Sequence, residues 1–335
     1  MRYFIRQKIK AFCAFLIILI LLPYTISVFV NGADVRTENG SDSPYVSVRT
    51  SEEGTVVDIS WKEYLAGILA REMSEDYEMD ALKAQAVLIR TKLYRDLENS
   101  EDKILTEKYM TREEMEKKWK VSEYKEYHDK YIRAVEETDD TVLFYNGTYA
   151  WTPYHQSSCG YTRSAEEVMG TGDYPYISCR ECPLDKKADD EIRVLTFSYK
   201  EIQEMCKDFL VAESEQEKAE AGYAFDDFEI SSRDSAGYVK EMRIGETTCT
   251  GDQFRDALSL PSSAFSFSEE NRQMKITTTG KGHGLGMSQW TANEMAKEGK
   301  DYEEILKFFY EGTELNREIQ ETEVLGDASA DRMPL

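Results

Sequence analysis

The sequence predicts an α+β fold, with helices packed against antiparallel hairpins around a substrate cleft and one transmembrane helix ahead of them. Three observations predict it. Several long stretches repeat apolar residues at helical spacing, whereas two short β-prone runs turn on hairpin signals. Helical and hairpin segments are segregated, with no βαβ alternation. Residues 11–30 carry no charge, and about twenty such residues cross ~30 Å of hydrocarbon as a helix.

The N-terminus comes first. Arg2, Arg6, Lys8 and Lys10 form a basic flank over residues 1–10, which the positive-inside rule keeps in the cytoplasm. The reading is a single-pass cell-membrane protein whose body lies outside the cytoplasm. A cleaved signal peptide is the alternative; the length of the apolar run and the poor cleavage site in "FVNGAD" argue against it. Residues 31–54 are rich in turn-formers and charge and read as a flexible linker. Residues 55–313 read as the folded body, and 314–335 as an acidic, disordered tail. The net charge is −23 over 335 residues, and setting aside the four basic residues of the flank leaves the remainder near −27. Such a surface repels DNA and RNA, which excludes nucleic-acid binding.

Within the body, "DISWKEYLAGILARE" places Trp61, Leu65 and Ile68 on one helical face, and "MDALKAQAVLIRTKLYRDL" repeats the pattern through Leu82, Ala86, Ile89 and Leu93. "TREEMEKKWKVSEYKEYHDKYIRAVEE" opens with the capping-box pair Thr111 and Glu114. Its stripe is Met115, Trp119, Tyr124, Tyr127, Tyr131 and Val135, and His128 on its charged side reads as a surface residue. "TVLFYNGTYAWTPY" is a hairpin around Asn146-Gly147, and "FDDFEISSRDSAGYVKEMRIGE" is a second around "DSAG". Two helices close the body, one stopping at Gly299 and one running from Asp301 to Gly312.

One residue breaks the first stripe. Positions 61, 65, 68 and 72 stack along one side of a helix, so Glu72 continues an apolar line at the C-terminal end. Partial burial and the negative end of the helix dipole both disfavour its ionised form, and a carboxyl held protonated suits a general acid working on a glycosidic oxygen. The structural alternative is a glutamate satisfied by Arg71 or Lys83.

"TTGKGHGLGMSQWTANEMA" is the second informative stretch. Glycines 280, 282, 284 and 286 permit positive φ and close backbone approach. It is neither a phosphate loop nor a dinucleotide fingerprint, because the Gly-Lys-Ser/Thr ending is missing and the G-x-G-x-x-G spacing fails at Met287. It offers His283, Ser288 and Gln289 at the mouth of a helix. The structural alternative is a turn whose Ser288 caps that helix.

"EYLAGILAREM…ALKAQAVLIRTKLY" and "GKGHGLGMSQWTANEMAKEGKDYEEILKFFYEGTEL" resemble the opening and closing motifs of the stage II sporulation protein D family. "YHQSSCGYTRSAEEVMG" and "TCTGDQFRDALSLPSSAF" resemble its intervening segments, so the likeness spans residues 58–313. The resemblance implies a lytic transglycosylase acting on peptidoglycan in forespore engulfment, on glycan strands denuded by a partner amidase, together with other engulfment membrane proteins. It places the family's catalytic glutamate on Glu72. Lys83, Gln85, Arg90, His283, Ser288 and Gln289 are then expected to grip the sugar, with ion pairing as the alternative for Lys83 and Arg90. No second acid stands out at a comparable place, so a mechanism needing a single carboxyl is expected.

The cysteines raise a separate question. His155, Cys159, Cys179 and Cys182 make a His-x3-Cys and a Cys-x2-Cys, a spacing that suits one structural zinc ion. A disulfide is the alternative for an exported domain. Here the chain departs from the family, in which the position of Cys159 is often Ser or Gly. Cys13 lies in the anchor, and Cys206 and Cys249 are isolated and read as buried. Two rival functions follow from these features, a zinc-dependent cell-wall amidase or peptidase and a non-catalytic glycan-binding scaffold.

Overall fold

The computed structural model describes residues 44–50, 54–138, 141–189, 191–210 and 222–317. The predicted flank, the anchor and most of the linker lie outside these residues, as does the tail from 318. Among the described residues no helix is long and apolar enough to cross a membrane.

Strand β1 (Tyr45–Arg49) pairs antiparallel with β2 (Val56–Ser60), from Tyr45↔Ser60 to Arg49↔Val56. Residues 45–49, read from sequence as linker, are therefore part of the body. Val46 and Val48 alternate inward and are buried, as period-two geometry requires.

β2 leads into α1 (Trp61–Glu72), followed by α2 (Met79–Asn99) and α3 (Arg112–Glu136). Trp61, Leu65 and Ile68 are buried, and the Trp61 ring stacks on Tyr94 of α2 at 5.1 Å. Each such side chain contributes roughly 1.5–3 kcal/mol on full burial. The predicted capping box starts α3: the Glu114 N–H donates to the Thr111 hydroxyl at 3.3 Å, and the Thr111 N–H donates to the Glu114 carboxylate at 2.8 Å. Met115, Trp119, Tyr131 and Val135 are buried, whereas Tyr124 and Tyr127 are only partly so. The helix breaks between them and Trp119, at Lys120 (φ 62, ψ 153), and the stripe is offset there. His128 is not simply solvated; it bonds Glu63 of α1 at 2.9 Å and stacks on Tyr124.

The Asn146-Gly147 hairpin joins β3 (Val142–Tyr145) to β4 (Thr148–Tyr149). Both turn residues have positive φ, 51° and 77°, which a two-residue type I′ turn needs. After β5 (Tyr154–His155) and α4 (Ala165–Met169), the chain runs through β6 (Ile192–Phe197) and α5 (Tyr199–Met205). β7 (Phe228–Arg233) and β8 (Val239–Ile244) form the hairpin predicted around "DSAG", and β9 (Thr247–Thr250) extends it. Then come α6 (Gly251–Leu258), β10 (Phe265–Glu270) and β11 (Gln273–Thr279), the last pairing with both β10 and β6. β12 (Met287–Ser288) lies parallel to β5. α7 (Gln289–Lys297) and α8 (Tyr302–Phe309) precede β13 (Glu314–Asn316), which pairs with β3. Residues 314–316, read as tail, thus also belong to the body.

Among the described residues two large apolar cores form, beside a small third cluster of Ala236, Tyr238 and Ala264. One gathers the inner faces of α1, α2, α3, α7 and α8. The other lies among β6 to β11 with α5 and α6, around Phe228, Met242, Phe254, Phe265 and Ile276, and it contains the buried Cys206 and Cys249. Arg163 links the elements of the second core to the glycine-rich segment. Its Nε donates to Asp234 at 2.6 Å, and its Nη1 donates to Asp252 at 2.8 Å and to the His283 carbonyl at 3.2 Å.

Candidate active site

The glycine-rich segment builds one wall of the site. Gly280, Gly282, Gly284 and Gly286 all have positive φ. A side chain at 286 would stand 1.9 Å from the Pro153 carbonyl, and one at 282 would meet the His155 Cβ at 2.5 Å. Only glycine lets residues 280–287 run this close to residues 153–158. The consequence is two histidine rings 5.9 Å apart, His155 and His283. The Nδ1–H of His155 donates to the Leu285 carbonyl at 3.1 Å, and the Leu285 N–H donates to Nδ1 of His283 at 3.0 Å. The two rings therefore hold opposite tautomers, with the His283 proton on Nε2. Burial lowers the His155 pKa to about 4 and, with His155 nearby, the His283 pKa to about 3.

His283 opens on a cavity of about 420 Å³, whose other walls include Lys92, Arg95 and Asp96 of α2 together with Trp151 and Tyr154. The Trp151 ring packs against Tyr174 at 4.9 Å.

Glu72 ends α1 within electrostatic reach of Tyr154 on this wall. Its side chain is 32% exposed, and Arg71 stands 3.8 Å away. Burial raises its pKa, Arg71 opposes the rise, and Glu107 adds to it. The Tyr154 hydroxyl, itself driven up by burial, feels the charges of both Glu72 and Glu107. Glu107 in turn binds Lys92 at 2.5 Å. The Tyr154 phenol and the neutral His283 imidazole line this partly apolar hollow, and the desolvated Glu72 carboxyl and the Glu107 carboxylate act on that phenol through their charges, an arrangement able to move a proton to and from a bound molecule.

Glu107 was not foreseen, because it sits in the aperiodic stretch "KILTEKYM". What positions it is the bare face of Gly67 within α1. Gly67 accepts a hydrogen bond from Met110 at 3.0 Å, and a side chain there would meet the Met110 carbonyl at 2.9 Å. The Tyr64 hydroxyl donates to the Glu107 carbonyl at 2.9 Å. A helical glycine on a buried face was the available signal.

The other sugar-gripping residues expected from the sequence go elsewhere. Lys83 is bound to Glu137 at 2.5 Å. Arg90 is fully buried, donating to the carbonyls of Thr138 at 2.6 Å, Thr141 at 3.1 Å and Val135 at 2.9 Å, where it closes the end of α3. Gln289 donates to Gln85 at 3.2 Å and ties α7 to α2. Ser288 caps α7 and donates to the buried Asp185 at 2.8 Å. These five are structural in their contacts; His283 alone of the six reaches the cavity.

The zinc reading does not fit the residues present. The buried Nε2 of His155 has no hydrogen-bond partner, as a ligand nitrogen would require, yet among the described residues no three His, Cys, Asp or Glu side chains converge to hold a metal. Cys159 donates to the Ala236 carbonyl at 3.2 Å, Cys179 is exposed, and burial pushes the Cys182 thiol up to about 12. The disulfide alternative is not formed either, since Cys159, Cys179 and Cys182 are all free thiols.

Residues 49–145 match the family described as Stage II sporulation protein. The chain is 31% identical to Stage II sporulation protein D of Bacillus subtilis (strain 168), over 80% of this chain and 77% of that protein. It is 29% identical to the protein of the same name from Bacillus amyloliquefaciens, over 81% and 78% of the two chains. It is also 25% identical to the Amidase enhancer of Bacillus subtilis (strain 168), over 75% of this chain but 40% of that protein. With Glu72 in the opening motif, His283 in the closing one and this likeness along most of its length, the chain belongs to the stage II sporulation protein D family.

Proposed function

We propose that this protein is a lytic transglycosylase of sporulation, anchored through residues 11–30 outside the cytoplasm, that cleaves peptidoglycan between N-acetylmuramic acid and N-acetylglucosamine. The observation that carries the reading is the Glu72 carboxyl, partly buried and with its pKa raised by that burial, within electrostatic reach of Tyr154 in the wall of an aromatic-lined cavity. Glu72 gives its proton to the glycosidic oxygen as the bond to C1 of the muramic sugar breaks. It then takes the proton of the C6 hydroxyl, whose oxygen bonds to C1 and closes a 1,6-anhydro ring. The carboxyl ends as it began, so one such group suffices. Glu107 favours the protonated form of Glu72, Trp151 offers a face on which a sugar ring can lie, and the Nε2–H of His283 is a donor for a sugar oxygen. The name of the Amidase enhancer relative supports a partner amidase that strips stem peptides, and the sporulation relatives support engulfment partners in the same membrane.

That name also favours a second reading, a glycan-binding scaffold that assists an amidase without chemistry of its own. Glu72→Gln separates the two. The transglycosylase reading expects glycan cleavage to fall at least about 10³-fold with far-ultraviolet circular dichroism unchanged. Wild-type protein that binds glycan strands but never shortens them would favour the scaffold.

A further inference from the structure

A second hollow, of about 450 Å³, draws its lining from β6, β10 and β11 and shares no residue with the cavity at His283. Glu191, Lys186 and Arg233 supply its charges, and Thr277 and Thr279 are among its polar residues. Glu191 is 5% exposed, and its carboxyl is only half satisfied. Oε2 accepts the Ser157 hydroxyl at 2.8 Å, whereas Oε1 has no hydrogen-bond partner among the described residues. The backbone is fixed as well, because the Glu191 carbonyl accepts the Gly280 N–H at 3.0 Å. Burial, joined by Asp185, raises the Glu191 pKa to about 7 against the opposing effects of Ser157, Lys281 and Gly280. A buried carboxylate oxygen without a donor bears its full desolvation penalty, which a donor brought by a ligand removes.

The charges of this hollow are ordered by depth, since Glu191 is buried while Lys186 and Arg233 are exposed. Gly160, at φ +112°, leaves the room that the Lys186 stem fills; a side chain there would stand 2.7 Å from the Lys186 Cε. Arg233 is held in place by donating to the Gly237 carbonyl at 2.8 Å and the Phe265 carbonyl at 2.7 Å. A simple anion would be repelled by the acid within, and a simple cation by the two charges outside. A molecule carrying both an ammonium and a carboxylate matches the whole layout, and the volume suits a small ligand. We propose that this hollow binds a zwitterion of the amino-acid class, either a free amino acid or a short peptide, with its ammonium on the Glu191 carboxylate and its carboxylate toward Lys186 and Arg233. This second site stands independent of glycan cleavage at Glu72.

Calorimetric titration of the full chain with alanine, trialanine and N-acetylalanine tests this. Alanine, trialanine or both should bind, and N-acetylalanine, which lacks the ammonium, should bind at least about tenfold more weakly. Binding of alanine alone assigns a free amino acid, and binding of trialanine alone a peptide. A proton on Glu191 competes with the ammonium, so affinity should rise about fivefold from pH 6 to pH 7. Glu191→Gln, which keeps an oxygen for Ser157, should abolish both the binding and its pH dependence, with circular dichroism showing that the variant is folded. Lys186→Met, an exposed change that leaves the core untouched, should weaken binding of the same ligand several-fold and leave that of its methyl ester unchanged. Binding undiminished in both variants, or N-acetylalanine bound as tightly as the zwitterions, overturns the proposal. Binding of none of the three probes overturns it too and leaves Oε1 to a buried water.

Discussion

Glu72 and Glu107 make a pair whose charges oppose each other, and the sign of their coupling can be measured. Burial, reinforced by Glu107, holds the Glu72 pKa above the ordinary 4.5, so the proton that the proposed mechanism gives to the leaving oxygen is present below that raised value and lost above it. kcat/KM should therefore fall on the alkaline side of it. Glu107→Gln removes one raising charge and should move that limb to lower pH; an unmoved limb would exclude the coupling. The two histidines act on stability in the opposite direction. Their folded-state pKa values, about 4 for His155 and about 3 for His283, lie below the ordinary 6.5. Between these values the unfolded chain binds protons that the fold rejects. The stability is thus complete above pH 6.5 and is lost as pH falls, by a few kcal/mol near pH 4.5. Urea midpoints that stay constant across this window would contradict the buried neutral pair. Glu72 itself was legible as the break in a stripe of Trp61, Leu65 and Ile68. The partners of Lys83, Gln85 and Arg90, namely Glu137, Gln289 and the carbonyls at the end of α3, were not legible, because spacing places a polar residue on a face without saying whether a cleft or another helix covers it.

The glycine-rich segment and the hairpin turns separate two causes of glycine dependence. Gly286 has φ +69° and a carbonyl 1.9 Å from any added side chain, whereas Gly147 has φ +77° and nothing within 4 Å. Gly147→Ala carries conformational strain alone and should destabilise by about 1 kcal/mol. Gly286→Ala adds a clash with the backbone of Pro153 and should destabilise by about 3 kcal/mol or more, with loss of activity as His283 shifts. Equal melting temperatures for the two variants would refute the close approach. Helices were readable as elements because their caps and periodicity are local; Thr111 with Glu114 and Asp301 with Glu304 form the capping boxes their spacing announces. Strands were harder. β1 hides among turn-formers and charges, and β10 and β11 turn on Asn271 and Arg272, which take positive φ without a glycine. β6 finds its partner β11 some eighty residues later, a distance no local pattern spans.

The molecule depends on Arg163 to hold its second core against the active-site wall. The Asp234 side chain is 1% exposed and the Arg163 side chain 3%, so Arg163→Met leaves a buried carboxylate without its cation. That should cost about 3–5 kcal/mol in denaturant unfolding and displace the His283 carbonyl that Arg163 holds. A variant as stable and as active as the parent would show that the link is dispensable. The predicted two-sided organisation, helices here and hairpins there, was legible as segregation; the contact that joins them was not, since Arg163, Asp234 and Asp252 meet only after folding. On the proposed reading, all of it serves one event, proton exchange between Glu72 and a glycan strand. The most direct test is mass spectrometry of peptide-free glycan strands incubated with the protein. New 1,6-anhydro-muramic ends are expected from the parent and none from Glu72→Gln. Reducing ends, or released peptides with strand length unchanged, would contradict it.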